Sequence, residues 1–224
     1  MEKNKINLII LLSLAIVAFL FTGIVALVDV NAIGPLNSKV GFSSINGAFK
    51  NLIGQSDLFY EISKYLGYLA ILVAVGYAVL FVYSAIKNKS LKLVSKNLYA
   101  LMAVYFLTVL VYVLFEIVVV NYRPVLEDGV LEASFPSSHT MLACVICATA
   151  VLTNVVQFKS CALRKIGNVA LIVLAVAIIV FRTLSGVHWL TDIVGAIIYS
   201  AVLAFAYYTA VCYFNQKEKS KKLD

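Results

Sequence analysis

The sequence predicts an all-α integral membrane protein with six transmembrane helices in one bundle, and three observations predict it. The 224 residues are 62% hydrophobic and only 13% charged, with a mean hydropathy of +0.98, whereas soluble domains carry roughly 25% charged residues. Six apolar runs are long enough to cross a hydrocarbon core about 30 Å thick, which takes around 20 residues each. The lysines and arginines gather in the short stretches between those runs, as membrane topology requires. One domain over residues 1–224 follows, with any chemistry placed within or beside the bilayer.

The first run, residues 7–28, follows Lys3 and Lys5 as a signal peptide would, but its apolar stretch is too long for one, so it reads as a retained anchor. Residues 29–64 form the one long connection. There Phe42, Ile45, Phe49 and Leu52 recur at helical spacing between Ser43, Asn46 and Lys50, the pattern of an amphipathic helix lying along the outer membrane surface. Such a helix is open to two readings, a lid over an entrance from the bilayer or a plain linker. The remaining runs are 65–86, 98–120, 139–156, 167–182 and 189–214.

Orientation follows from the cations. Lys3 and Lys5, then Lys87, Lys89, Lys92 and Lys96, then Lys159, Arg164 and Lys165, and finally Lys217, Lys219, Lys221 and Lys222 fall on one side, which the positive-inside rule makes cytoplasmic. Both termini then face the cytoplasm. Because the net charge of +7 is spent on topology, nucleic acid is excluded as a partner, and the bilayer is the expected one. The four cysteines, Cys144, Cys147, Cys161 and Cys212, form no disulfide framework. Nor do His, Cys and carboxylates cluster at metal-ligand spacing, so neither metal nor cofactor is expected.

Both histidines, two of the three arginines and two of the three prolines occur in three short segments. All three map to the outer ends of helices, where ionisable groups at membrane depth mark function. The first is Asn121-Tyr122-Arg123-Pro124, in which Arg123 offers a planar fork of donors. The second, Phe135-Pro136-Ser137-Ser138-His139-Thr140, opens a helix whose serine hydroxyls and first-turn N–H groups suit an anion. The third runs from Arg182 through His188 to Asp192, and the spacing of four puts His188 and Asp192 on one helix face. An aspartate there can fix the imidazole tautomer and leave the other nitrogen free to attack. Read singly, these segments are also a snorkelling arginine, an ordinary N-cap and a polar helix cap. A pair of axial haem ligands is a further reading of His139 and His188, disfavoured by the two arginines beside them.

Together the segments resemble the type 2 phosphatidic acid phosphatase family, which shares its phosphate site with the vanadium-dependent haloperoxidases. The family pattern is a lysine, six residues, Arg-Pro; then Pro-Ser-Gly-His; then Ser-Arg, five residues, His, three residues, Asp. This chain matches at Arg123 and Pro124, at Pro136, Ser137 and His139, and at Arg182, His188 and Asp192, over residues 116–195. It departs at Ser138, where glycine is usual, at Phe181, which replaces a serine, and at Glu116, which reverses the charge of the lysine.

The resemblance implies a metal-independent lipid phosphate phosphatase acting on a monoester or diphosphate of the phosphatidate, phosphatidylglycerophosphate or polyprenyl diphosphate type. By that resemblance His188 is the nucleophile, Asp192 orients it and His139 serves the leaving group. Arg123, Arg182, Ser137 and the Ser138 backbone bind phosphate. Glu116 is open between orienting an arginine, meeting a cationic headgroup and occupying a wet cavity. Its charge also motivates the alternative of a non-catalytic lipid-phosphate binding or transport protein.

Overall fold

The computed structural model describes residues 2–220. Among them are seven α-helices: α1 (Glu2–Leu27), α2 (Ser43–Ile53), α3 (Asp57–Lys87), α4 (Lys96–Ile117), α5 (Ser138–Gln157), α6 (Ala162–Leu184) and α7 (Leu190–Ser220). All but α2 are long and apolar enough to span a membrane. Lys217 and Lys219 lie in the last turns of α7, and Lys221 and Lys222 fall outside the described residues.

α5 is the central helix. It packs against α3, α4, α6 and α7, and 50% of its most apolar stretch is buried, against 33% or less in every other span. Its sequence explains the position: Ala143, Thr149, Ala150 and Thr153 are small enough for neighbours to approach closely. The Thr149 and Thr153 hydroxyls are returned to the carbonyls one turn back, both at 2.7 Å, which keeps their faces dry. By contrast α1, apolar all round, packs mainly on α7 and leaves Phe19 and Leu20 facing outward.

Polar links join the bundle where tyrosines meet small polar partners. Thr153 Oγ1 and the Tyr207 hydroxyl lie 2.7 Å apart, the Tyr77 hydroxyl donates to Asn154 Oδ1 at 2.6 Å, and Thr22 meets Tyr199 at 2.9 Å. Each such interhelical bond in lipid contributes about 0.6 kcal/mol. At one end of the bundle Phe115 stands edge-on to Phe135, with centroids 5.6 Å apart, and together with Val25 they form a dry floor. Phe115 and Phe135 also line a cavity together with Glu116, Ser138 and His188.

The long connection is shorter than the sequence reading placed it. α3 begins at Asp57, two turns before residue 65, because Ser56 accepts the Phe59 N–H at 3.4 Å and Asp57 supplies a carboxylate to the first turn. Hydropathy cannot see these turns, since Glu61 and Lys64 pair with each other at 3.1 Å and mask them as loop. α2 is the amphipathic element of that connection. It is capped at a distance, with Asp29 accepting from the Ser44 N–H at 2.7 Å and the Ser43 hydroxyl at 2.8 Å.

Candidate active site

The three motif segments meet at the end of the bundle where α4 stops, α5 starts and α6 passes to α7. Residues 121–134 fold as a short hairpin, with Tyr122 bridged to Ala133 and Glu127 to Val130. Asp128 and Gly129 turn it at φ +50 and +79, as an Asp-Gly hairpin turn requires. The hairpin is tied down by Trp189, whose indole N–H donates to the Tyr122 carbonyl at 2.6 Å. Arg123, on the same hairpin, is buried.

His188 occupies the connection between α6 and α7 and is almost wholly buried. Arg182, 0% exposed, places Nη2 at 3.2 Å from His188 Nε2. A guanidinium can only donate, so Nε2 accepts and the imidazole proton sits on Nδ1. Nδ1 faces Asp192 Oδ2 at 3.5 Å, longer than a formed hydrogen bond. The carboxylate is held instead by the Trp189 N–H, which donates to Oδ2 at 2.9 Å, with Asn121 Nδ2 at 3.5 Å from Oδ1. Burial, followed by the charges of Arg182 and Arg123, holds the His188 imidazole well below its ordinary pKa, so the ring is neutral.

His139, in the first turn of α5, lies within electrostatic reach of His188. The Arg182 guanidinium carbon lies over the Tyr60 ring, 5.0 Å from its centroid, and its Nη1 is 3.5 Å from Ser63 Oγ. Beside His188, whose Nδ1 faces Asp192, three buried nitrogens lie without hydrogen-bond partners among the described residues: Arg123 Nε, Arg182 Nε and His139 Nδ1. Buried donors are ordinarily paired, and this concentration of unpaired ones suits an anionic ligand. Ser137 uses its backbone N–H on the Asp192 carbonyl at 3.1 Å and its hydroxyl on Thr140 at 3.1 Å. Ser138 lines both cavities beside the histidines.

Glu116 faces the cavity that holds His188, Ser138 and Tyr112. Among the described residues it forms no ion pair, and Arg123 pairs instead with Glu127 and, at 3.1 Å, with Glu132. Orientation of Arg123 therefore belongs to the hairpin glutamates and not to Glu116. Glu127 also accepts from the Tyr60 hydroxyl. Sequence reading missed Glu127, Glu132 and Tyr60, although Asp128-Gly129 was a legible hairpin signal that folds both glutamates back over Arg123.

A second cavity, about 240 Å³, adjoins the first and shares Tyr112 and Ser138 with it. His139 stands at its polar end, and Gly67, Ala70, Ile71, Leu142 and Ile146 line the rest. A Cβ on Gly67 would come to 3.1 Å from the His139 ring, so only glycine leaves that imidazole its present place. Gly67→Ala is expected to lower kcat by about tenfold through a few tenths of an ångström of ring displacement. Steady-state kinetics against an unchanged melting temperature checks this, and a wild-type kcat would show that the ring position is immaterial.

A six-span bundle with histidines and arginines gathered over a neutral imidazole at one end defines a class of membrane enzyme that handles anions. The PAP2 superfamily profile matches residues 99–216, more than half of the chain, and the chain belongs to that superfamily and is a multi-pass membrane phosphatase. Among solved structures it is similar to a transmembrane PAP2-type phosphatidylglycerolphosphate phosphatase from Bacillus subtilis, with 18% identity over 96% of this chain and 97% of that one, at a TM-score of 0.58. At that identity the likeness speaks for the fold. No curated protein sequence matches the chain.

Proposed function

We propose that this chain hydrolyses a lipid phosphate, a monoester or diphosphate of the phosphatidate, phosphatidylglycerophosphate or polyprenyl diphosphate type, through a phosphohistidine on His188. The observation that carries the reading is the gathering of three unpaired buried nitrogens, on Arg123, Arg182 and His139, around a neutral imidazole whose Nε2 lone pair is turned to Arg182. Phosphate oxygens take over the Arg182 and Arg123 donors, which frees Nε2 to attack phosphorus. The N–P bond forms as the P–O bond to the lipid breaks, and His139 gives its proton to the departing oxygen. Water then attacks the phosphohistidine with His139 as base, releasing inorganic phosphate and restoring the neutral His188.

Asp192 stabilises the Nδ1–H tautomer during attack and the positive charge that the ring gains. The two guanidiniums and the first-turn N–H groups of α5 stabilise the equatorial oxygens, so the reading requires no metal. The apolar cavity next to His139 supports an amphiphile, because a chain lying along Gly67, Ala70 and Ile146 leaves its phosphate at the histidines. The Bacillus subtilis neighbour is named for one of the three substrate types proposed. By the charge distribution both termini are cytoplasmic and the site opens to the outside.

The test is phosphate release by the purified protein in bilayers, from phosphatidate, phosphatidylglycerophosphate and polyprenyl diphosphate, beside a soluble ester such as glycerol phosphate. At least one lipid is expected to exceed the soluble ester by about 100-fold in kcat/KM, because remote binding contributes to the transition state. Vanadate, a mimic of five-coordinate phosphorus, is expected to inhibit. Tight binding of a lipid phosphate with no release would instead return the chain to the binding-protein reading.

A further inference from the structure

Residues 41–56 run alongside the connection that carries His188, and their contacts fall at both of its ends. At the start of that connection the Ser56 N–H donates to the Ser185 carbonyl at 3.1 Å, and the Lys50 ammonium donates to the Gly186 carbonyl at 2.7 Å. Gly186 has φ +68, and a Cβ there would lie 2.0 Å from the Gly54 carbonyl oxygen, so the two backbones touch. At the far end Asn46 exchanges bonds with Thr191. Its Nδ2 donates to Thr191 Oγ1 at 2.9 Å, and its Oδ1 accepts the Thr191 N–H at 3.2 Å.

Asn46 is 0% exposed, and its Nδ2 also donates to the Gly41 carbonyl at 2.7 Å. The first N–H groups of a helix lack intrahelical acceptors and usually find one on a residue just before the helix. In α7 the Thr191 N–H finds its acceptor on α2, about 145 residues away in the chain. His188 lies between the two gripped ends, with Arg182 and Asp192 fixed on flanking helices. The alignment of its Nε2 against them is therefore set by a backbone that α2 holds.

We propose that Asn46 and Lys50 are positioning residues for His188, and that α2 is a brace on the nucleophile's connection rather than a lid. The proposal rests on the reading of His188 as nucleophile. A lid would have to swing away from its seat. Here the seat is the connection itself, bonded through a wholly buried amide.

The test uses the full chain in proteoliposomes, with phosphatidate as probe and Asn46→Ala, Lys50→Met and Lys50→Arg as variants. Asn46→Ala is expected to lower kcat by about 30-fold, and Lys50→Met by about tenfold, with KM changed less than about twofold. Lys50→Arg, which keeps a donor in reach of the Gly186 carbonyl, recovers most of the rate. The pH profile separates positioning from folding. The charged and titratable groups around His188 are Arg182 from α6, Arg123 after α4, His139 from α5, Asp192 from α7 and Glu116 from α4, with Tyr60 of α3 behind Arg182.

In the wild type, burial and the arginines keep the ring neutral below its ordinary range, so the acid limb of kcat/KM lies below pH 6.5. A loosened connection admits water, the imidazolium becomes easier to form, and the limb moves to higher pH in Asn46→Ala and Lys50→Met. A purely structural loss reduces the amount of active enzyme and leaves the limb in place, which overturns the proposal, as do wild-type kinetics in both variants. Should Asn46→Ala fail to fold, Lys50→Met decides by the same two readouts. Retained phosphate release in His188→Ala would overturn the nucleophile reading itself, and this proposal with it.

Discussion

His188→Ala is expected to lower phosphate release from the preferred lipid phosphate by a factor on the order of 10⁴ or more. In the proposed reaction its Nε2 lone pair, turned to Arg182, is the attacking group, and alanine leaves nothing to form the N–P bond. An acid-labile phosphoenzyme, trapped by rapid quenching of the wild type, is expected to be absent from the variant. Because the ring is almost wholly buried, a melting curve should accompany the assay. A folded variant that still releases phosphate at more than about a hundredth of the wild-type rate would rule out the covalent route.

Arg182→Lys is expected to lower kcat by about 10²- to 10³-fold although the charge is kept. The guanidinium is used on three sides at once: its carbon lies over the Tyr60 ring, Nη1 approaches Ser63, and Nη2 meets His188 Nε2. An ammonium supplies one compact charge and cannot stack and fork together. KM for the lipid is expected to change less than kcat, since transition-state charge is what the fork stabilises. Near-normal kcat in the lysine variant would show that Arg182 serves only as a positive charge.

Much of this architecture was legible in the sequence because the bilayer imposes a coarse rule that hydropathy reads well. All six runs appear as helices, and the differences lie at their ends: polar capping, invisible to hydropathy, extends α3 at Ser56 and Asp57, whereas α4 stops at Ile117, before its apolar run does. The convergence of Arg123, His139, Arg182 and His188 was legible for a different reason: residues costly at membrane depth have few reasons to be there. What could not be read was how the partners are shared. Spacing put Asp192 on the face of His188, but not that Trp189 would claim its oxygen. The pairing of Arg123 with Glu127 and Glu132 depends on a hairpin between spans, where no helical period operates. Asn46 looked like one polar position on an amphipathic helix, and only its fully buried contact with Thr191 separates it from Ser44 or Asn51.

Those hairpin glutamates bear on how turnover ends. Since Arg123 already holds two tethered carboxylates, an arriving phosphate exchanges with them instead of adding to a bare cation, and a departing one is replaced at once by groups whose local concentration is high. Inorganic phosphate, which lacks the lipid chain that anchors the substrate, competes poorly in that exchange. In the reaction proposed above, the hairpin glutamates therefore favour escape of the small product over its lingering on the enzyme.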